Sequence, residues 1–111
     1  GSLLTGKLDN ANLAGSLVHA ASGALFGVIY LFLLNLTTIS FVPALAAMAL
    51  GIGFIHGLVV SYGLMVVVSE HHPVPEFRRV TLETGLLHLV GHVLYGLTVG
   101  LVAGLAFSVF A

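Results

Sequence analysis

Between residues 10 and 69, and again from 84 to the last residue, no side chain carries a formal charge. Leu, Val, Ala, Ile, Phe and Gly fill these stretches at every helical angle, whereas a helix in water keeps a polar face. Only 6% of the chain is charged and 59% is hydrophobic, against roughly 25% charged residues in a soluble domain. Lipid is therefore the solvent this sequence is built for.

The long uncharged stretch is punctuated by Asn35, Thr37, Thr38, Ser40 and Pro43, a short polar turn with a proline suited to a first helical turn. It divides into apolar runs over residues 13–36 and 44–69. The segment EHHPVPEFRR that follows holds two prolines, which push the residues before them out of helical conformation. The third run covers 86–110, with a helical approach from residue 80. About 20 apolar residues cross a hydrocarbon core of roughly 30 Å. The expectation is an all-α transmembrane bundle of three helices forming one domain over residues 1–111, with spans near 13–36, 44–69 and 80–110. Residues 3–12 read as a polar lead-in in which Asn10 or Asn12 caps the first helix. Gly1 and Ser2 have the form of a scar left by tag removal and are set aside.

With three spans, Lys7, Asp9, Glu70, Glu76, Arg78, Arg79 and Glu83 all fall on one side of the membrane, and the other side has no charge. The positive-inside rule places Lys7, Arg78 and Arg79 in the cytoplasm, giving an inner N-terminus and an outer C-terminus in a multi-pass protein of the cell membrane. Three basic residues against four acidic ones supply no basic patch for nucleic acid. The absence of cysteine removes disulfides, thiolate metal sites and cysteine nucleophiles.

Glycine pairs at i, i+4 occur in every span: Gly23/Gly27, Gly53/Gly57, and Gly96/Gly100/Gly104. Small residues at this spacing let helix backbones approach closely in lipid. Three helices have too few faces to hide every stripe, so homo-oligomerisation or contact with other membrane subunits is expected. The last stripe continues backwards in the same four-residue step to His92 and His88.

Six histidines are the chain's unusual chemistry. At ~1.5 Å per residue, His19 lies roughly 9 Å in from the charged side, and His88 and His92 roughly 6 and 12 Å in. His71 and His72 sit in the charged connection, and His56 near mid-bilayer. Tyr62, Tyr95 and Glu83 fall at neighbouring depths.

Internal similarity links the helices. His19 to Gly27 and His92 to Gly100 share H-x3-G-x3-G. Shifted by one turn, the segments around His19 and His88 match as small-L-[VL]-H-x6-[FY]-G, with a looser version at His56 and Tyr62-Gly63. This suggests duplicated helical units. The HAASGALFG and GHVLYGLTVGLV segments resemble a group of small prokaryotic multi-pass membrane proteins. In that group a His precedes [FY]-Gly in each helix, and a GH-[LV]-x-YG segment closes the chain. The resemblance implies a membrane location and a helical fold, with a further helix ahead of these three, and it brings no mechanism.

Ionisable residues within a span point to function. His88 and His92, at i, i+4, can bind a transition metal with His19, His71 or His72 completing the shell. Pairs among His19, His56, His88 and His92 can ligate a b-type haem, with glycines leaving room for the porphyrin. A histidine chain can also relay protons, since imidazole titrates near neutral pH. Against these stands a plain reading in which each His hydrogen-bonds across helices, contributing about 0.6 kcal/mol. Arg78 and Arg79 read as orientation signals, and Tyr30, Tyr62, Tyr95 and the phenylalanines as packing or lipid-facing residues. No phosphate loop, nucleophile elbow or carboxylate pair is present, so the expected function is non-enzymatic: a histidine cluster in the cytoplasmic leaflet serving protons or metal ions. A bis-His cytochrome and a purely structural module are the alternatives.

Overall fold

The computed structural model describes residues 1–110, which are helical throughout their regular structure, with no strand among them. A single short turn, α1 (Ser2–Thr5), precedes three long helices: α2 (Ala11–Asn35), α3 (Val42–His71) and α4 (Leu82–Phe110). Each long helix is apolar and long enough to cross a membrane, so the fold is that of a small three-helix membrane protein. α2 and α4 run in the same direction and α3 runs against both.

The helix ends follow local chemistry. Asn10 occupies the position before α2 in left-handed conformation (φ 58°), and its side chain makes no capping bond, contrary to the expected cap. α3 starts at Val42 with Pro43 in its first turn, and it stops at His72, whose extended backbone (ψ 129°) is what the following Pro73 demands. Pro75–Arg78 form a 3-10 turn. Residues 80 and 81 are not helical, so α4 begins at Leu82, later than the sequence suggested. There the Thr84 amide donates to the Thr81 hydroxyl at 3.3 Å and satisfies one open donor of the first turn.

α3 and α4 form the tight pair of the bundle, while α2 leans on them over a smaller area. The α3–α4 seam is made where side chains are missing. A β-carbon added at Gly96 would strike the Ala49 carbonyl oxygen, and one at Gly53 would lie 2.5 Å from the His92 carbonyl oxygen. At Gly100 it would meet Ala49 Cβ at 2.6 Å, and at Gly104 the Val42 side chain at 3.0 Å. Gly57 is covered by His92 and Leu89, and Gly85 by the Met65 sulfur. Backbone-to-backbone approach of this kind is how helices hold together without a hydrophobic drive.

At the uncharged end, Leu34 of α2 joins Leu45, Ala49 and Ala103 in a fully buried cluster, flanked by Ile39, Met48, Ile52 and Phe107. That cluster closes the three helices together at one end. Toward the charged end nothing comparable ties α2 down, and the helices part there.

Candidate functional site

The parting of α2 from α3 and α4 leaves a cleft of about 1170 Å³ that runs from the charged connection towards mid-bundle. Its α2 wall presents His19, Ser22, Gly23 and Phe26, one turn after another. Its α4 wall presents His88, His92 and Tyr95, and its α3 wall is mostly apolar, with Val60, Leu64, Met65 and Val68. Glu76 and Arg79 stand at the mouth, beside Gly1 to Leu4 of the N-terminal turn, and are the only charged side chains lining it among the described residues. The cleft is thus polar on two helices, greasy on the third, and free of formal charge at depth.

The inner end is an aromatic and imidazole knot. The ring of His56 lies 4.0 Å from that of Phe26 and 4.8 Å from that of His92, the latter edge to face. Tyr30, almost wholly buried, places its hydroxyl 3.0 Å from His56 Nδ1. Tyr95 packs its ring 5.5 Å from that of Tyr30 and donates its hydroxyl to the Gly23 carbonyl at 2.6 Å, which ties α4 to α2. Beyond Tyr30 the path meets the Leu34, Leu45, Ala49 and Ala103 cluster, so the cleft is blind.

Hydrogen bonding fixes the imidazole tautomers. His88 Nδ1 lies 3.0 Å from the Thr84 carbonyl and His92 Nδ1 2.7 Å from the His88 carbonyl. A carbonyl only accepts, so both neutral rings carry their proton on Nδ1 and present a bare Nε2. His56 takes the opposite form. The buried Tyr30 hydroxyl has no other acceptor among the described residues, so it donates to His56 Nδ1. The His56 proton then sits on Nε2, which is buried and has no hydrogen-bond partner. Adjacent rings therefore offer a donor without an acceptor and an acceptor without a donor.

His19, His88 and His92 line one cleft, and His56, which depth alone set apart from them, forms its floor. The two loop histidines behave differently. His72 is buried, accepts the Val74 amide at Nδ1 (3.0 Å), places Nε2 3.1 Å from Ser2 Oγ, and gives its carbonyl to Arg78 Nε at 2.7 Å. Its Nδ1 holds the connection in shape, and its Nε2 ties that connection to α1. His71 is exposed, 3.8 Å from Glu70. The expected metal set of His19, His88, His92, His71 and His72 does not converge: among the described residues no three His, Asp or Glu side chains are grouped to hold an ion. For haem, axial ligands must approach opposite faces of one macrocycle, and the direct contact of His56 with His92 leaves no room for a porphyrin between those two.

Two further expectations change. Gly23 makes no close helix contact: a β-carbon there would meet nothing within 4 Å, and the residue acts through its carbonyl. Gly27 faces the Tyr95 hydroxyl, 3.1 Å from where its β-carbon would stand. Glu83, at a depth neighbouring the histidines, is exposed and absent from the lining, while Tyr62 is 74% exposed on the outside of α3, as a lipid-facing residue would be. Conversely, Tyr30, Tyr95, Phe26 and Ser61 belong to the site, the two tyrosines and Phe26 as more than packing or lipid-facing residues. The stripe His19, Ser22, Phe26, Tyr30 at i, i+3, i+7, i+11 was a readable signal for two of them.

No family model matches the chain, and neither does any curated protein or solved structure.

Proposed function

We propose that this chain is a small, non-enzymatic integral membrane protein whose cleft histidines take up and pass protons from the charged side. By the positive-inside asymmetry of Lys7, Arg78 and Arg79 that side is the cytoplasm. What carries the reading is the pairing of complementary tautomers. His56 presents an unpartnered Nε2–H beside the His92 ring, 4.8 Å away. His92 takes up a proton at its Nε2 lone pair and hands it inward once His56 has moved its own proton to Nδ1, where the Tyr30 oxygen accepts it, leaving Nε2 bare. His88 and His19 stand nearer the mouth, where they exchange with water, and Tyr30 sets the resting tautomer of the innermost ring and can accept from its Nδ1 when the proton shifts. Imidazole suits the task because its unperturbed pKa, about 6.5, lies near neutral pH.

The blind inner end means that a complete crossing requires either a second arrangement of α2 or the surface of another subunit. The outer faces of α2 and α3 are broad and apolar, and assembly with further copies is part of the proposal. Purified protein in liposomes loaded with a pH-sensitive dye tests it. A pH gradient with a valinomycin-set potential should collapse faster with the wild type than with His56→Leu or His92→Ala. His92→Ala keeps the β-carbon that seats against Gly57. Wild-type flux equal to that of protein-free liposomes, or unaltered in both variants, refutes the relay.

A further inference from the structure

We infer that the cleft is also a binding site for a neutral, lipid-soluble aromatic diol of the hydroquinone class, held through its hydroxyls by His88 and His92. This goes beyond proton passage and needs no proton transfer, so either reading can fail without the other.

The hydrogen-bonding character of the α4 wall selects donors. With Nδ1 of both rings given to carbonyls of the preceding turn, the groups left are two Nε2 lone pairs, which want O–H or N–H partners. The two residues are separated by a rise of about 6 Å along the helix, the scale of two hydroxyls placed para on one six-membered ring. Gly91, next to His92 in the chain, also lines the cleft, and a β-carbon there would meet nothing within 4 Å, so the α4 wall is bare beside the imidazoles. Ser61, buried at 7% exposure and with an Oγ that has no hydrogen-bond partner among the described residues, lines the facing wall and supplies a further polar contact.

Charge and shape narrow the class. Glu76 and Arg79 stand at the mouth, and no charged side chain lines the depth of the cleft. An ionised head group would be stripped of water there without a counter-charge, at a cost of several kcal/mol, so the ligand is neutral. Phe26 and Tyr95 offer rings to an aromatic head at the inner end. Val60, Leu64, Met65 and Val68 offer an apolar wall to an alkyl or isoprenoid tail. The volume of about 1170 Å³ exceeds the roughly 300–1,000 Å³ typical of drug-sized sites, which leaves room for such a tail.

The test uses the protein in phosphatidylcholine nanodiscs under anaerobic reducing conditions. The probes are a decyl-substituted benzohydroquinone and its bis-methyl ether, which keeps ring and tail but has no donor. Retention on protein-loaded discs is measured above that on empty discs. The diol should bind saturably, and the ether about ten-fold more weakly, as expected for losing hydrogen bonds of ordinary strength. His88→Leu and His92→Leu should each weaken the diol by about three- to ten-fold and leave the ether unchanged. Leu64→Trp, which fills the apolar side, should abolish both. Should His92→Leu fail to fold, the exposed His88 decides the matter through His88→Leu. Equal binding of diol and ether, saturable binding indifferent to His88→Leu and Leu64→Trp, or no saturable binding at all would overturn the assignment.

Discussion

A single methyl group at residue 96 tests whether the α3–α4 seam is a backbone contact. In Gly96→Ala the new β-carbon collides with the Ala49 carbonyl oxygen and comes 3.0 Å from the Gly53 α-carbon and 3.1 Å from the Ala49 carbonyl carbon. All three are backbone atoms of α3, so no side-chain rotation relieves the clash and the helices must separate. Separation loosens the neighbouring approaches as well, since Gly100 faces Ala46 Cα and the Leu45 carbonyl oxygen, each 2.8 Å from where its β-carbon would stand. Overpacking of this sort costs about 1–3 kcal/mol, and the better helix propensity of alanine returns up to about 1 kcal/mol. Gly91→Ala on the same helix is the control, because its β-carbon would meet nothing within 4 Å. The propensity gain is common to both variants, so their difference isolates packing at about 1–3 kcal/mol, roughly a 5- to 150-fold change in the unfolding constant. Unfolding in mixed micelles with a rising fraction of dodecyl sulfate, followed by far-ultraviolet circular dichroism, reads the difference. Equal midpoints for Gly96→Ala and Gly91→Ala would show that the seam is loose enough to accept a methyl group, and the account of α3–α4 association would fall.

Other perturbations probe the site. Tyr95→Phe removes the 2.6 Å bond to the Gly23 carbonyl and should cost about 0.5–1.5 kcal/mol. It should also broaden the distance distribution between spin labels on Leu17→Cys and Leu87→Cys, since α2 loses a tether, and an unchanged distribution would count against that role. Tyr30→Phe strips His56 Nδ1 of its partner and should destabilise by about 1–3 kcal/mol. Tyr30→Phe combined with His56→Leu should cost less than the sum of the two single changes, whereas strict additivity would deny that the two act as a pair. For sidedness, a membrane-impermeant thiol reagent on intact cells should label Ser40→Cys and spare Lys7→Cys; the reverse pattern would invert the proposed orientation.

The three spans were legible because lipid imposes so simple a rule: where no charge interrupts more than twenty apolar residues, the backbone must satisfy itself as a helix. Pro43 and the His72-Pro73 junction marked helix boundaries because proline acts locally, and Asn10 escaped because asparagine serves equally as a side-chain cap and as a left-handed turn residue, and here it takes the second role. Gly53, Gly57, Gly96, Gly100 and Gly104 were readable as a class, but spacing gives no partner, and it did not separate them from Gly23, which contributes a carbonyl instead. The histidines were legible as a group through depth, a one-dimensional coordinate that serves while helices are straight and parallel. Depth is silent on azimuth. His72 shares the right end of the bundle and still serves the loop, Tyr62 shares the right depth and faces outwards, and Tyr30, far from the charged end, joins the site because it shares a face of α2 with His19.

Azimuth also explains how one ladder on α4 performs two tasks. Successive residues of an α-helix turn by about 100°, so each four-residue step overshoots a full turn by about 40°. Gly96 and Gly100 point into α3, with Gly104 against Val42 at the far end of the seam. Counting back from Gly96, His92 is rotated about 40° and His88 about 80°. His92 still rests its β-carbon against Gly57 while its ring reaches His56, and His88, further round, stands exposed in the cleft. Leu89 and Gly85, each within about 20° of Gly96 by the same count, keep the seam closed behind them against Gly57 and Met65. The drift that a coiled coil removes by supercoiling is here retained: it carries the stripe off the dry contact and onto the shoulder of the helix, where imidazoles reach a cleft and the α3–α4 backbones stay together.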